Sequence, residues 1–369
     1  MAKPRVLPMD GQNGTPHSGW MESLARAHFS PETTYLNTAS TGLVPARAVT
    51  AMTSAVEAAA IGRPVVGEGF AAVEDARGSF ARLVGVPARQ VAAGGSAAVY
   101  CGLIAQSLPT GAEVLVAEGD FASLVNPFHV RRDLHLRTAP LEKLATEVRP
   151  DTALVAVSAV QSADGRIADL DGIGAAARAH GARTLIDVSQ ALGWLPYDAS
   201  AHDFTVGVGF KWLLCPRGVA FLAVPEDLGG LTPVFAGWVA GEEPWNSCYG
   251  PVERLAESAR RFDESPSLFS YVAAGDSLAL IEELGVERIH GHNRALADRF
   301  RAGLDALGRR AVAAEGSAIV AVPGLGHAAE RLTDEGMPVS DRAGNLRAAF
   351  HLYNTSADVD RLLEALARC

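Results

Sequence analysis

What most limits the fold of this 369-residue chain is an alternation, through its middle, of short apolar runs with alanine-rich stretches of helical period. The runs at Glu113–Ala117, 153–158, Arg183–Asp187, 204–207 and 219–224 have the length of buried strands, and Ala97–Ser107 and Leu170–His180 have that of helices. Parallel strands need a helix-length crossover, so this alternation predicts an α/β domain with a mainly parallel sheet and helices on its faces. After about Pro251 the texture changes. Charged amphipathic helices are expected at 252–261 and 286–307, strands at 318–322 and 346–352, and a closing helix from Ser356. Thr355 and Asp358 give that last helix a T-x-x-D start signal. The expected organisation is an arm and joining segment over 1–34, a large domain over 35–262 and a smaller α+β domain over 263–369.

Composition bounds the function. Hydrophobic residues are 48% and charged residues 20%, an ordinary globular mixture. A formal charge of −10 argues against nucleic acid and acidic membrane as partners, because both attract a cationic footprint. Residues 1–18, polar and rich in Pro and Gly, read as a flexible arm without the apolar core of a signal peptide or a membrane-spanning run. Cys101, Cys215, Cys248 and Cys369 lack metal-type spacing and suit a reducing cytoplasm. His290 and His292 diverge on a helix, so no metal site is expected.

Several residues point to chemistry. Asp187 ends the run RTLID at 183–187, so it is expected at the carboxyl edge of the sheet, where open α/β sheets bind ligands. It reads equally as the cap of a helix after it or as a carboxylate that pairs with a protonated ring nitrogen. Gln190, three residues on, can reach a ring oxygen. Lys211 lies in VGVGFKWLL at 206–214, apolar on both sides. A buried lysine without a partner is costly, and covalent attachment to a cofactor resolves that cost. GGSA at 94–97 opens a helix, so Gly95, Ser96 and Ala97 form a candidate phosphate cradle or an ordinary turn. A lysine, a carboxylate for a pyridine nitrogen and backbone donors for a phosphate are what pyridoxal 5'-phosphate (PLP) requires.

The runs DVSQA at 187–191 and KWLLCPRG at 211–218 resemble the core of the class V aminotransferase-fold PLP enzymes, a superfamily that includes cysteine desulfurases, isopenicillin N epimerase-like proteins and C–S lyases. Further similarities occur in order along the chain. YLNTASTGLVP at 35–45 resembles the family's N-terminal segment, which puts Asn37 on the substrate side. Phe121 falls where the family stacks a residue on the cofactor ring. SAVQSADG at 158–165 resembles the stretch that contacts the ring oxygen, with Gln161 or Ser162 for the usual asparagine. RAAFHLYNT at 347–355 resembles the motif whose arginine, here Arg347, holds the substrate carboxylate. RFDESP at 261–266 resembles a segment that crosses a dimer to the neighbouring phosphate, with Ser265 for the common threonine. The resemblance implies the fold-type I PLP-dependent transferase fold with a seven-stranded, mainly parallel sheet. It also implies PLP bound covalently on Lys211 with Asp187 on its ring nitrogen, a homodimer, and an amino acid substrate.

Departures from the family pattern bear on both cofactor and reaction. The family often has Ser-x-His immediately before the lysine, where Val208 and Phe210 stand here. Phosphate binding is therefore expected to rest on Ser96, the amides of Gly95 to Ala97 and a partner subunit. Desulfurases of the family need a mobile cysteine before the carboxylate arginine, and residues 326–345 contain none. β-Elimination from an S-substituted cysteine is then the expected reaction, with Arg347 gripping the α-carboxylate and Lys211 taking the α-proton. Similar runs occur in lyases of small-thiol pathways and in secondary-metabolite enzymes that process cysteine conjugates. Decarboxylative deamination, transamination and epimerisation stay open, as does a PLP-fold protein that only binds. FAGW at 235–238 and WNSCY at 245–249 place Trp238 and other aromatics on a loop that either walls the substrate pocket or packs at an interface.

Overall fold

The computed structural model describes residues 21–368; the arm expected over residues 1–18 and Cys369 lie outside the described residues. At its centre is a seven-stranded sheet of β1 (Val91–Gly94), β2 (Glu113–Ala117), β3 (His135–Ala139), β4 (Thr152–Ser158), β5 (Arg183–Asp187), β6 (Phe204–Val208) and β7 (Ala220–Ala223). Their order is β1-β7-β6-β5-β4-β2-β3. Neighbours from β6 to β3 pair in parallel, and β7 runs antiparallel to both β6 and β1. The helices, in chain order, are α1 (Ala46–Ala60), α2 (Val66–Leu83), α3 (Ala97–Ser107), α4 (Ala122–Val130), α5 (Leu144–Glu147), α6 (Leu170–His180), α7 (Leu268–Leu284), α8 (Val286–Ala306), α9 (Ala329–Asp334) and α10 (Ser356–Leu366).

The apolar runs become strands because both of their faces are covered. Val114, Val116, Leu154 and Ala156 pack with α3 and α4 into one core, while Leu115, Val155, Val157 and Ile186 pack with α2, α6 and α7 into another. That period-2 split of a continuous apolar run is what a parallel sheet buried on both sides requires. β3 is an edge strand, and its His135 and Arg137 keep that edge polar. α6 begins where Asp169 accepts the Gly172 N–H at 2.9 Å and ends at Gly181, whose φ of +73° closes the last turn.

The second sheet is antiparallel, β8 (Ile319–Val322), β9 (Ser340–Arg342) and β10 (Asn345–Ala349), in the order β8-β10-β9. With α8, α9 and α10 it encloses a third core, which also takes Leu36 from the N-terminal segment. Thr355 and Asp358 form the expected capping box at the start of α10. The helix expected at 252–261 is absent: Leu255 bridges Gly241, and only Ala259–Phe262 forms a short 3-10 turn. Arg260 decides this locally, because its guanidinium bonds the carbonyls of Val239, Gly241 and Glu242 and ties the segment to the preceding loop. A ten-residue helix without a buried face has little stability to oppose such contacts.

Candidate active site

The carboxyl edge of the parallel sheet positions the chemistry. β4 and β5 run in register, so Ser158 and Asp187 end side by side, and β6 leads from the neighbouring strand into Lys211. The N-terminus of α3 and the β9–β10 hairpin complete the walls of a cavity of about 490 Å3. Lys211, Asp187, Phe121, Ser96, Ser162 and Arg347 all line it.

Lys211 is only 6% exposed, and its ammonium has no hydrogen-bond or ion-pair partner among the described residues. Burial pulls its pKa down to about 8; Arg347, Arg217 and Arg342 push the same way and Asp187 opposes them. A buried amine that is partly neutral near physiological pH suits covalent attachment and proton transfer. Its Nζ lies 5.0 Å from the centroid of the Phe121 ring, whose own face is half exposed to the cavity. Asp187 is buried, and burial raises its carboxyl pKa against the pull of Lys211 and of the Ser189 N–H, which donates to Oδ1 at 2.8 Å. Phe121 is held from below by Asp120, a residue that no motif in the sequence singles out. The Asp120 carboxylate accepts from the N–H of Phe121 and Ser158, the Ser158 hydroxyl and Gln161 Nε2. Gln161 is thereby turned to a supporting role outside the cavity lining.

The candidate cradle has the features an anion needs. Ser96 caps α3 by accepting the Ala98 N–H, and the Gly95 N–H donates to a carboxylate oxygen, Oε1 of Glu264, at 2.6 Å. Glu264 thus stands in for the anion, which shows that this amide is oriented to bind one. Val208 and Phe210 bring no polar group. A hydroxyl returns from another element: Ser189 lines the cavity and its Oγ accepts the Val208 N–H at 3.2 Å. A serine two residues after Asp187 was the signal in the sequence. With the donors of Gly95–Ala97 and Ser189, a ring face at Phe121, the lysine and the buried carboxylate, the residues fit PLP.

On the opposite wall Arg347 is 1% exposed. Its Nε donates to Ser340 Oγ at 3.1 Å, Nη1 to the carbonyl and hydroxyl of Ser162, and Nη2 to Ser40 Oγ at 2.7 Å. None of these partners is an acid, and burial, with Arg342 next, lowers its pKa to about 9. A buried guanidinium without a counter-ion is poised for a carboxylate ligand. Gln190 is already saturated: Nε2 donates to Ala39 O and Ser162 Oγ, and Oε1 accepts from Trp212 Nε1 at 2.7 Å. Because Ser162 Oγ accepts from both Gln190 and Arg347, its own proton is free to point into the cavity. Gly42 lets the N-terminal segment lie on the lysine loop, since a Cβ there would collide with the Lys211 carbonyl oxygen.

Besides Gln161 and Gln190, which support the cavity without lining it, three expected residues stand apart from it within the chain. Asn37 bridges Ala349, and its Oδ1 is buried without a partner. Ser265 is exposed beside Glu264. Trp238 packs on Phe70 and Trp245 around a separate cavity of about 200 Å3.

The chain belongs to the aminotransferase class-V family, whose pattern matches residues 34–362, and PLP is its cofactor. It is 30% identical to isopenicillin N epimerase of Streptomyces clavuligerus, covering 94% of this chain and 97% of that one. It is 27% identical to the uncharacterised aminotransferase YcbU of Bacillus subtilis (strain 168), over 81% of this chain and 84% of that one. Among solved structures, the cystine C–S lyase C-DES, in complex with its product cysteine persulfide, superimposes with a TM-score of 0.82 at 22% identity, covering 91% of this chain and 97% of the other. Among the described residues no helix is long and apolar enough to cross a membrane.

Proposed function

We propose that this PLP enzyme is a C–S lyase that breaks the Cβ–S bond of an S-substituted cysteine by β-elimination and releases the substituted thiol. The observation that carries the reading is the pairing of a counter-ion-free, buried Arg347 with a single proton-transfer group, Lys211, in one cavity. Arg347 binds the α-carboxylate through two parallel N–H donors and so fixes the α-carbon relative to Lys211. PLP, when bound, supplies the sink for the electron pair left at the α-carbon. With the cofactor in place, Lys211 would take the α-proton, Asp187 would hold positive charge at the ring nitrogen, and Ser162 would donate to the ring oxygen. The Cβ–S bond breaks with its electrons going to sulfur, so that one water and one conjugate give one thiol, one pyruvate and one ammonium.

Direct attack on sulfur lacks its reagent. The segment before Arg347 folds into α9 and β9 without a cysteine, and among the described residues no cysteine lines the cavity: Cys101 and Cys215 are buried with pKa values pushed up, and the exposed Cys248 lies on the loop after Pro244. Epimerisation has one observation in its favour, the 30% identity to isopenicillin N epimerase. A two-base epimerase, however, needs a second proton donor, and apart from Lys211 and Asp187 the cavity offers only serines and arginines as polar side chains. Incubation with an S-substituted cysteine should give thiol, pyruvate and ammonia in equal amounts without protein persulfide. Carbon dioxide with an aldehyde product, an inverted α-carbon with sulfur retained, or a requirement for a second amino acid would each overturn the lyase reading. We further propose a homodimer in which the exposed Ser265 reaches the neighbouring subunit's phosphate site; a fully active monomer in sedimentation would contradict it.

A further inference from the structure

Two cations at the mouth of the cavity are not used by the chemistry above. Arg342 ends β9 and Arg347 lies on β10, and the register pairs Arg342 with Asn345 and Ser340 with Arg347. Paired residues share a face, so Arg342, Ser340 and Arg347 project to the same side of the hairpin, with the two arginines diagonal neighbours about 7–8 Å apart. The two-residue turn between the strands, Ala343 and Gly344, has φ of +52° and +79°, the tight mirror-image turn that fixes hairpin register. Arg217 approaches from the lysine loop, its guanidinium stacked 4.1 Å from the centroid of Phe210.

All three guanidiniums converge on two consecutive hydroxyls. Ser40 Oγ accepts from Arg347 Nη2 at 2.7 Å and from Arg342 Nη2 at 3.1 Å, and Thr41 Oγ1 accepts from Arg217 Nη2 at 3.3 Å. Hydroxyls orient a cation without neutralising it. Some arginines elsewhere are paired with acids, as Arg77 with Asp263, Arg131 with Asp133 and Arg299 with Asp360, and others, such as Arg183 and Arg260, are tied to backbone carbonyls. At the mouth neither Arg217 nor Arg342 forms an ion pair among the described residues. Asp341, next to Arg342, has a carboxylate oxygen on the Gly344 N–H, and of Asp341 the Arg342 guanidinium reaches the backbone carbonyl and not the carboxylate. The cavity lining therefore carries Lys211 and three arginines against one carboxylate, in a chain of net charge −10.

We infer that Arg342 and Arg217 form a second anion-binding point and that the substrate is an S-(carboxyalkyl)cysteine, whose distal carboxylate they hold while Arg347 holds the α-carboxylate. This rests on the C–S lyase reading for the reaction but not for the binding. Arg342 and Arg347 meet on Ser40 Oγ, with Arg217 beside them on Thr41 Oγ1, so a carboxylate held by Arg342 lies within reach of a short chain, running through sulfur, from an α-carboxylate held by Arg347. An uncharged substituent of equal size leaves both cations unpaired.

The test compares S-carboxymethyl-L-cysteine with its amide isostere, S-carbamoylmethyl-L-cysteine, by equilibrium titration of the holoenzyme's visible absorbance, which reads binding whether or not thiol is released. Wild type should bind the acid at least tenfold more tightly than the amide. In Arg342→Gln and in Arg217→Gln the acid-to-amide ratio should fall toward one, and PLP affinity, measured on the apo-proteins, should change less than twofold. Equal binding of acid and amide by wild type, or binding of neither, overturns the inference. So does an Arg217→Gln variant that loses PLP while keeping the acid preference, which would assign that arginine to the cofactor phosphate. Discrimination in binding without release of thiol and pyruvate would leave the second anion site standing and remove the lyase reading.

Discussion

Replacing Lys211 with methionine, which keeps the length of the side chain and removes its charge, should make the apo-protein more stable. The environment of Lys211 lowers its pKa from 10.5 to about 8, a value already net of the attraction of Asp187. A base whose pKa is depressed by folding destabilises the fold in proportion to its protonation. The penalty is complete below the folded value, near pH 8, and fades as pH rises toward 10.5. At about 1.4 kcal/mol per pH unit, the difference comes to about 3 kcal/mol at pH 7 and to about 1 kcal/mol at pH 10. Denaturant unfolding of apo wild type and Lys211→Met, at equal concentration and at both pH values, measures it. The variant should be the more stable by about 3 kcal/mol at pH 7, with the gap narrowing to about 1 at pH 10. Equal stability at pH 7, or a gap that does not narrow with pH, would refute the claim that the cavity holds this amine against a desolvation penalty.

Other outcomes rest on the same geometry. Asp187→Asn should retain PLP yet lose turnover by about a hundredfold or more, since the ring nitrogen loses its charge partner; steady-state kinetics checks this. Glu264→Ala should raise PLP affinity about tenfold in apo-protein titration, because the cofactor phosphate no longer displaces a carboxylate from the Gly95 N–H, whose charge-assisted bond contributes about 1.5–3 kcal/mol. Gly42→Ala should cost about 1–3 kcal/mol of stability in denaturant unfolding and slow PLP attachment, because the new Cβ collides with the Lys211 carbonyl oxygen. Arg347→Ala should lower kcat/KM by about a hundredfold or more, chiefly by loss of substrate orientation.

The large sheet was legible because its strands are buried on both faces and so read as uninterrupted apolar runs, as at Glu113–Ala117 and Arg183–Asp187. Lys211 and Asp187 were legible for the same reason, each being a charge set against an apolar background. The loop over 252–261 was not, because charge spacing resembles a helix while the deciding contact, Arg260 on three backbone carbonyls, is tertiary. Supporting residues were hardest to see. Asp120 and Ser40 are common polar residues in loops, and only their partners reveal what they hold. Glu264 sits within a recognised segment, but nothing in the sequence places its carboxylate on the Gly95 amide.

The Ser40 hydroxyl and the Arg342 and Arg347 guanidiniums it steadies lie far apart along the polypeptide, Arg347 coming 307 positions after Ser40. During synthesis the hydroxyl emerges well before the hairpin that answers it. By the time β7 is complete, the lysine, the buried aspartate, the cradle and Arg217 have all been made, while Arg347, the group that holds the α-carboxylate, does not yet exist. Such long-range closure is slow relative to local structure. The chain therefore acquires the residues that hold its cofactor before it acquires the α-carboxylate clamp, and a chain stopped short of β9 has the first without the second.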